Sequence, residues 1–428
     1  MQNRTVRLGV LGCGNVGGQL VQLIAARGHA VAERTGITLE VVNVAVRDAT
    51  KTRPGIDPAL LTNDAEGVVT DPNIDLVIEL IGGVEPARSL ILSALAAGKP
   101  VVTGNKELLA NHGPELFAAA DRIGVDLLFE AAVGGGIPIV RPLRESLIGE
   151  RVHRLIGIVN GTTNYILTSM ADAGASYGDS LAEAQELGYA EADPTADVDG
   201  FDAAAKIAIL ATIAFGKRVV TSDVHREGIA NVRAADVDVA KRFGYVIKLL
   251  GVAEELADGS LSVRVHPAMV PTSHPLANVR GSFNAVFVEG DAVGELMFYG
   301  RGAGGRPTAS AVLGDVVDAA VNLSKGTHAS LGSFGPARFS PFDEMRSAYY
   351  LNIDVTDEPG VLAAVANVFG THAVSIRSME QEGLGAEARI VFITHAARER
   401  DIQACLLDLA GLKVVDRISS VLRLVGAD

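Results

Sequence analysis

Cysteine and tryptophan are nearly absent: the 428 residues hold two Cys and no Trp, and aromatic residues make up only 5%. Cys13 and Cys405 alone cannot build a disulfide framework or a cysteine-rich zinc site, so a reducing, cytoplasmic setting is expected. Positive charge is in deficit, with 37 Lys+Arg against 51 Asp+Glu and a net charge of −14. A nucleic-acid-binding face needs the opposite sign, so no nucleic-acid partner is expected, although there is room for a local basic pocket for a phosphate. Long apolar runs are missing too. None reaches the roughly 18 residues of a membrane span. The best stretch, Ile207 to Gly216, is bounded by Lys206 and Lys217. The start of the chain has no signal-peptide pattern, and no membrane association is expected. His153, His225, His266, His274 and His372 are isolated and show no metal-ligand spacing. What is plentiful is apolar residues, 48% of the chain, enough for several cores. The length suggests about three domains.

The first ~140 residues alternate short apolar strands with helical patterns, the signature of a parallel α/β sheet. Strands are expected at Val6 to Leu11, Leu39 to Val46, Asp75 to Leu80, Pro100 to Thr103 and Val125 to Phe129, with a first helix running to about Ala26. Gly134-Gly135-Gly136-Ile137-Pro138 breaks the pattern. An α+β region follows, with helices at Leu181 to Leu187, Gly200 to Phe215 and Thr308 to Leu323. Its strands are expected at Leu261 to His266, Ala285 to Gly290 and Gly294 to Tyr299. The Gly- and Pro-bearing stretch 326–347 reads as a linker. Beyond it come strand Tyr349 to Val355, helix Gly360 to Phe369, strands Val374 to Gln381 and Glu387 to Thr394, helix Arg398 to Leu409 and strand Leu412 to Leu424. That βαββαβ order is ferredoxin-like. The expected division is therefore 1–133, 134–325, linker 326–347 and 348–428.

Gly12-Cys13-Gly14-Asn15-Val16-Gly17 fits G-x-G-x-x-G between the first strand and the first helix, which is the dinucleotide-binding context. The first glycine permits the turn, the second lets backbone approach a pyrophosphate, and the third lets helix and strand pack closely. The second strand ends in Ala45-Val46-Arg47-Asp48, with Lys51 and Arg53 close behind. Arg47 suits a ribose 2′-phosphate and favours NADP, while Asp48 keeps NAD open. Cys13 reads as a small space-filler within the turn.

Five carboxylates crowd into 191–202, and Asp199 is a candidate N-cap for the helix that follows. Asp202 and Lys206 stand at i and i+4 on one helical face. The apolar continuation IAILATIAF predicts burial of that helix. A buried lysine beside a carboxylate suits proton transfer. A plain salt bridge next to an acidic loop fits the pattern equally well. Lys106, in Thr103-Gly104-Asn105-Lys106-Glu107, follows a strand end. Ligands bind at such ends in open α/β sheets, and a cation at a helix start is otherwise unfavourable.

Taken together, GCGNVG, TGNKE, EAAVGGGIP, VNGTTNYIL, LGYAEADPTADVDGFDAAAK, FGYVIKLLG and YGRGAGGRPTASAVLGD resemble the homoserine dehydrogenase family, in its long bacterial form with a C-terminal ACT domain. The resemblance covers nearly all of 5–325. It implies a Rossmann domain, an α+β catalytic and dimerisation domain, and interconversion of L-homoserine and L-aspartate 4-semialdehyde in threonine, methionine and isoleucine biosynthesis. It gives Lys206 the role of proton donor and acceptor, and makes Lys106 a second active-site lysine near cofactor and substrate. Asp202 and Glu191 become the carboxylates for the substrate amine. Gly188 and Gly304 become backbone contacts to the cofactor, beside Gly12, Gly14, Asn15, Val16, Gly17 and Arg47. Glu130, Val133, Gly135 and Ile137 match a loop that holds a monovalent cation, usually sodium. Carbonyls of a Gly-rich turn suit such a hard ion, and a tight domain-boundary turn without an ion is the alternative. Asn160-Gly161-Thr162-Thr163-Asn164 reads as a cap and turn, which the family places near the active cleft. Some relatives carry a carboxylate where this chain has Ala196.

Asp357-Glu358-Pro359-Gly360-Val361-Leu362 resembles the ACT signature, a strand-to-helix turn at Pro-Gly. Such domains pair edge to edge and bind small amino acids, with threonine the expected effector. A purely structural dimerisation module is the alternative. A homodimer or homotetramer is expected.

Overall fold

The computed structural model describes residues 4–330, 332, 334–383 and 388–426. By its contacts the chain divides into two compact units, each assembled from separate stretches. Met1–Leu155, Ala205–Asp223 and Asn284–Ala337 make the first, and Ile156–Ala204, Val224–Phe283 and Arg338–Asp428 the second.

In chain order the elements that matter for the site are β1 (Arg4–Leu11), α1 (Asn15–Thr35), β2 (Ile37–Ala45), β3 (Leu61–Thr62), α2 (Ala65–Thr70), β4 (Leu76–Glu79), α3 (Ala87–Ala96), β5 (Val101–Thr103), α4 (Lys106–Ile123), β6 (Leu127–Leu128), β7 (Val152–Ile158), α5 (Gly161–Ala173), α6 (Tyr177–Glu186), α7 (Thr195–Val198) and α8 (Phe201–Phe215). The six strands of the first unit pair in the order β3-β2-β1-β4-β5-β6, all parallel. This is the doubly wound order of dinucleotide-binding sheets, with its switch point between β1 and β4. Strand β4 is buried along its whole length, which is why Leu76-Val77-Ile78 reads as a continuous apolar run rather than an alternation.

Helix α1 passes Gly28 and ends only at Gly36, whose left-handed φ of +75° closes it, so it is nine residues longer than the pattern to Ala26 predicts. The core joins Val6, Leu8, Val10, Leu20 and Ile78 to Ala309, Val312 and Val316 of the helix Gly305–Lys325. That helix follows the α+β region in sequence, yet its apolar face completes the dinucleotide-binding core.

In the second unit the C-terminal strands pair in the order Val415–Leu424, Arg346–Val355, Arg389–Thr394, Ile376–Glu382. With helices Val361–Thr371 and Glu399–Ala410 this is the expected ferredoxin-like βαββαβ fold. Glu387, the expected start of its third strand, lies outside the described residues. Strand Val415–Leu424 also pairs in parallel with Leu261–Pro271, through Ala268↔Arg423 and Met269↔Leu424. Strand Tyr245–Glu255 pairs along its whole length with Leu261–Pro271. The hydrophobic pattern does not single it out, because a run buried on both faces carries no alternation. Strand β7 is likewise absent from the pattern.

The stretch read as a linker is irregular but tethered. Gly335–Pro336 pairs with Lys217–Arg218 in the first unit. In the second, Leu261 donates its amide to the Arg338 carbonyl and accepts from the Ser340 amide.

Candidate active site

The glycine-rich turn follows β1, and each glycine has its own reason. Gly12 sits at φ +98°, where a Cβ would lie 2.6 Å from the Leu80 carbonyl oxygen. A Cβ on Gly17 would fall 2.2 Å from the Gly12 carbonyl oxygen. Gly14 faces open space and is the N-cap of α1 with no side-chain cap, so backbone donors of a 21-residue helix stay accessible to an anion. Asn15 and Val16 form the first helical turn. Cys13 is half-buried against the same core, and burial raises its thiol pKa.

At the end of β2, Asp48 is turned back on its own loop. It accepts from the Thr50 amide at 3.0 Å and the Thr50 hydroxyl at 2.6 Å, bonds that hold its carboxyl below the usual range. Arg53 donates to the Asp48 and Lys51 carbonyls. Arg47 is exposed.

The ends of β4 and β5 are tied together by a buried network that the sequence does not reveal. Glu79 accepts from the Ile81 amide at 2.7 Å and the Thr103 hydroxyl at 2.6 Å. Thr103 accepts in turn from the Asn105 amide. Asn105 caps α4 through Leu108 and donates to the Gly83 carbonyl at 2.7 Å. The one available signal is a carboxylate inside the apolar strand DLVIEL. These loops border a cleft of about 280 Å³ lined by Gly83, Gly104, Lys106, Gly135, Lys206 and Gly302 among others. Lys106 and Lys206 therefore line one cleft, at the carboxyl end of the parallel sheet. Lys206 is only 8% exposed, as the apolar continuation of α8 predicts. Gly304, at φ +120°, is the exposed N-cap of Gly305–Lys325, next to the cleft-lining Ala303.

Glu130 is buried, and its carboxylate accepts three backbone amides: Ile139 at 2.6 Å, Val140 at 2.8 Å and Arg141 at 2.9 Å. Its own amide donates to Asp315, whose carboxyl burial pushes up to about 7. The loop bearing Val133, Gly135 and Ile137 is held by bonds from Gly136 to the Arg301 carbonyl and from Ile137 to the Gly134 carbonyl. A Cβ on Gly135 would meet the Gly302 carbonyl oxygen at 2.5 Å. Packed on Gly302 is the buried Asn284 amide, which has no hydrogen-bond partner among the described residues.

In the second unit, Asp202 is 7% exposed in the first turn of α8, one turn before Lys206 along the same helix. Asp199 does not cap α8. It closes the short helix α7, and Gly200, at φ +80°, intervenes. The Asn160 side chain donates to Asp202 at 2.9 Å and to Asp197 at 2.6 Å. Glu191 and Gly188 are exposed on the loop between α6 and α7. Thr162 donates to the Tyr189 carbonyl at 2.7 Å, and the Tyr165 ring packs on the Tyr189 ring, so the NGTTNY segment anchors that loop.

Three family models match along the chain: the homoserine dehydrogenase NAD-binding domain over residues 12–130, homoserine dehydrogenase over 138–317, and the ACT domain over 349–409. A curated homoserine dehydrogenase of Corynebacterium glutamicum is 50% identical, covering 98% of this chain and 95% of that protein. The solved homoserine dehydrogenase of Thiobacillus denitrificans is 41% identical, with a TM-score of 0.93 over 99% of both chains. A hyperthermophilic archaeal homoserine dehydrogenase solved in complex with NADPH is 28% identical, with a TM-score of 0.64 over 74% of this chain and 98% of that one. With full-length identity at this level and a parallel-sheet cleft carrying both lysines, the chain belongs to the homoserine dehydrogenase family, NAD(P)-dependent oxidoreductases, here with a C-terminal ACT domain.

Proposed function

We propose that this chain interconverts L-homoserine and L-aspartate 4-semialdehyde with Lys206 as the acid–base group. The observation that carries the reading is the shared cleft of Lys106 and Lys206 at the carboxyl end of the sheet. The bound nicotinamide supplies or accepts the hydride at the carbon that carries the reacting oxygen. In reduction Lys206 delivers a proton to that oxygen, and in oxidation it takes the proton away. Lys106 steadies the developing negative oxygen. Asp202 and Glu191 hold the substrate ammonium, and Asp202 also orients Lys206 from one helical turn away.

NADP is the preferred cofactor in this reading. The Asp48 carboxylate accepts both bonds from its own loop on Oδ1 alone, which keeps NAD open, whereas Arg47 is exposed and suits a 2′-phosphate. The NADPH bound by the archaeal relative agrees with this preference. Gly12, Gly14, Asn15, Val16 and Gly17 serve the pyrophosphate, and Gly188 and Gly304 contribute backbone contacts. For a monovalent cation such as sodium, the donors present fit: backbone oxygens of Glu130, Val133, Gly135 and Ile137 on a constrained loop. The Glu130 carboxylate is committed to three amides and takes no part.

The ACT domain binds an amino-acid effector, with threonine the first ligand to try. Its strand Ile376–Glu382 ends the sheet order with alternating exposure, an edge suited to a second copy and hence to a homodimer or homotetramer. No described helix is long and apolar enough to cross a membrane. A cytoplasmic role in threonine, methionine and isoleucine biosynthesis follows from the substrate. The deciding experiment is a spectrophotometric assay of homoserine oxidation with NADP and with NAD, with and without threonine. Faster turnover with NADP and a change of rate with threonine are expected. Absence of turnover with either cofactor overturns the reading.

A further inference from the structure

Asn160 does two jobs with one side chain. Its Oδ1 is the N-cap of α5, accepting from the Thr163 amide at 2.8 Å. That cap fixes the orientation of the amide, because only the oxygen can receive a backbone N–H. The Nδ2 group must then face the other way. There it donates to Asp197 at 2.6 Å and Asp202 at 2.9 Å, using both hydrogens. Asn160 is 4% exposed, so these bonds are sheltered from water.

Two carboxylates from two helices, α7 and α8, thus share one neutral donor. That donor offsets the repulsion between the two carboxylates. Asparagine is suited to this place. Serine can cap but offers one donor at most, and aspartate can cap but presents a carboxylate to two others.

We propose that Asn160 is a positioning residue for substrate binding, holding Asp202 beside Asp197 so that an ammonium group can bridge the pair from the opposite side. This rests on the assignment of Asp202 to the substrate amine. A charge-assisted hydrogen bond lost at a buried site corresponds to about tenfold or more in affinity.

The test compares Asn160→Asp, Asn160→Ser and Asp202→Asn in the full-length enzyme, with NADPH affinity by fluorescence and thermal unfolding followed alongside. Both Asn160 variants keep an N-cap, so the helix start is preserved. The homoserine KM is expected to rise about tenfold or more in each, with kcat falling less and NADPH affinity unchanged. In Asn160→Asp the new carboxyl regains a donor only when protonated, so its kcat/KM recovers towards the wild-type value as pH falls. Asn160→Ser shows no such recovery. Loss of a cap alone would produce neither the KM effect nor the pH difference between the two variants. If both variants keep the wild-type homoserine KM and pH profile while Asp202→Asn raises KM, the role of Asn160 is overturned. If Asp202→Asn also leaves KM unchanged, the assignment of Asp202 itself fails.

Discussion

Lys106 opens α4 and Lys206 lies in the middle of α8, and the two line the same cleft although a hundred residues separate them along the chain. Two cations facing one small cleft suit a reaction in which negative charge develops on oxygen. Lys206, as the more buried of the two, is the one assigned to move the proton.

Replacing Lys206 by Met keeps the apolar stem and removes the ammonium. Turnover is expected to fall by about 10² or more, the usual contribution of a positioned acid–base group. Cofactor affinity, measured by fluorescence titration, is expected to stay within a factor of about two, since the change is confined to the group proposed to transfer the proton. Near-normal kcat in this variant removes Lys206 from the mechanism.

Arg47→Ala bears on the cofactor phosphate. The KM for NADP is expected to rise about tenfold, the scale of a lost hydrogen bond to a charged group, with little change for NAD. Equal losses with both cofactors would show that Arg47 does not read the 2′-phosphate.

Thr103→Val tests the network under the cleft. The substitution preserves shape but deprives the fully buried Glu79 of a donor and the Asn105 amide of an acceptor. A loss of about 1–3 kcal/mol in denaturant unfolding is expected from orphaning buried polar groups. Since Asn105 also caps α4 ahead of Lys106, kcat is expected to fall as well. Unchanged stability together with unchanged kcat would make the network incidental.

Glu227 gives the second unit an acid-sensitive point. Burial alone would raise its pKa, but hydrogen bonds with His225 and Arg423 overcome that and bring it down to about 2. Arg423 also donates to the buried Glu399, so the last strand of the ACT domain and the segment after Arg226 share one ion cluster. A carboxylate whose pKa is depressed on folding stabilises above its unfolded pKa, near 4.3, and that contribution is lost as pH falls towards 2. The Glu227 side chain remains 37% exposed, so the effect is on the order of 1–2 kcal/mol after solvent screening. Glu227→Gln is expected to flatten the stability profile between about pH 4.3 and 2, as followed by denaturant unfolding at several pH values. An unaltered profile would show that the pair contributes nothing measurable.

The dinucleotide-binding half is legible in the sequence because its signals are local. The strand Val6 to Leu11, the glycine turn and the i,i+4 pair Asp202 and Lys206 all lie within short windows where periodicity and backbone sterics dictate the outcome. Helix ends are less legible: Gly28 could have stopped α1, but Gly36 does, because the left-handed conformation there closes the helix. The strand Tyr245–Glu255 escapes detection because burial on both faces erases alternation. Its Lys248, inside that run, is held by the Asn164 side chain and the Val279 carbonyl. A lysine in an apolar stretch is ambiguous until such acceptors are known.

By itself the amino-acid order determined the parallel sheet, the glycine-rich turn, the ferredoxin-like ending and the lysine face of α8. Each of these is set by neighbours a few residues away. Only the tertiary structure decided that Glu79 reaches Asn105 through Thr103, that Asn160 grips Asp197 and Asp202, and that the helix Gly305–Lys325 completes the first core. Those relationships join segments far apart in sequence. No repeat or spacing encodes them, because they arise from hydrogen bonds and packing that exist only once the chain has folded back on itself.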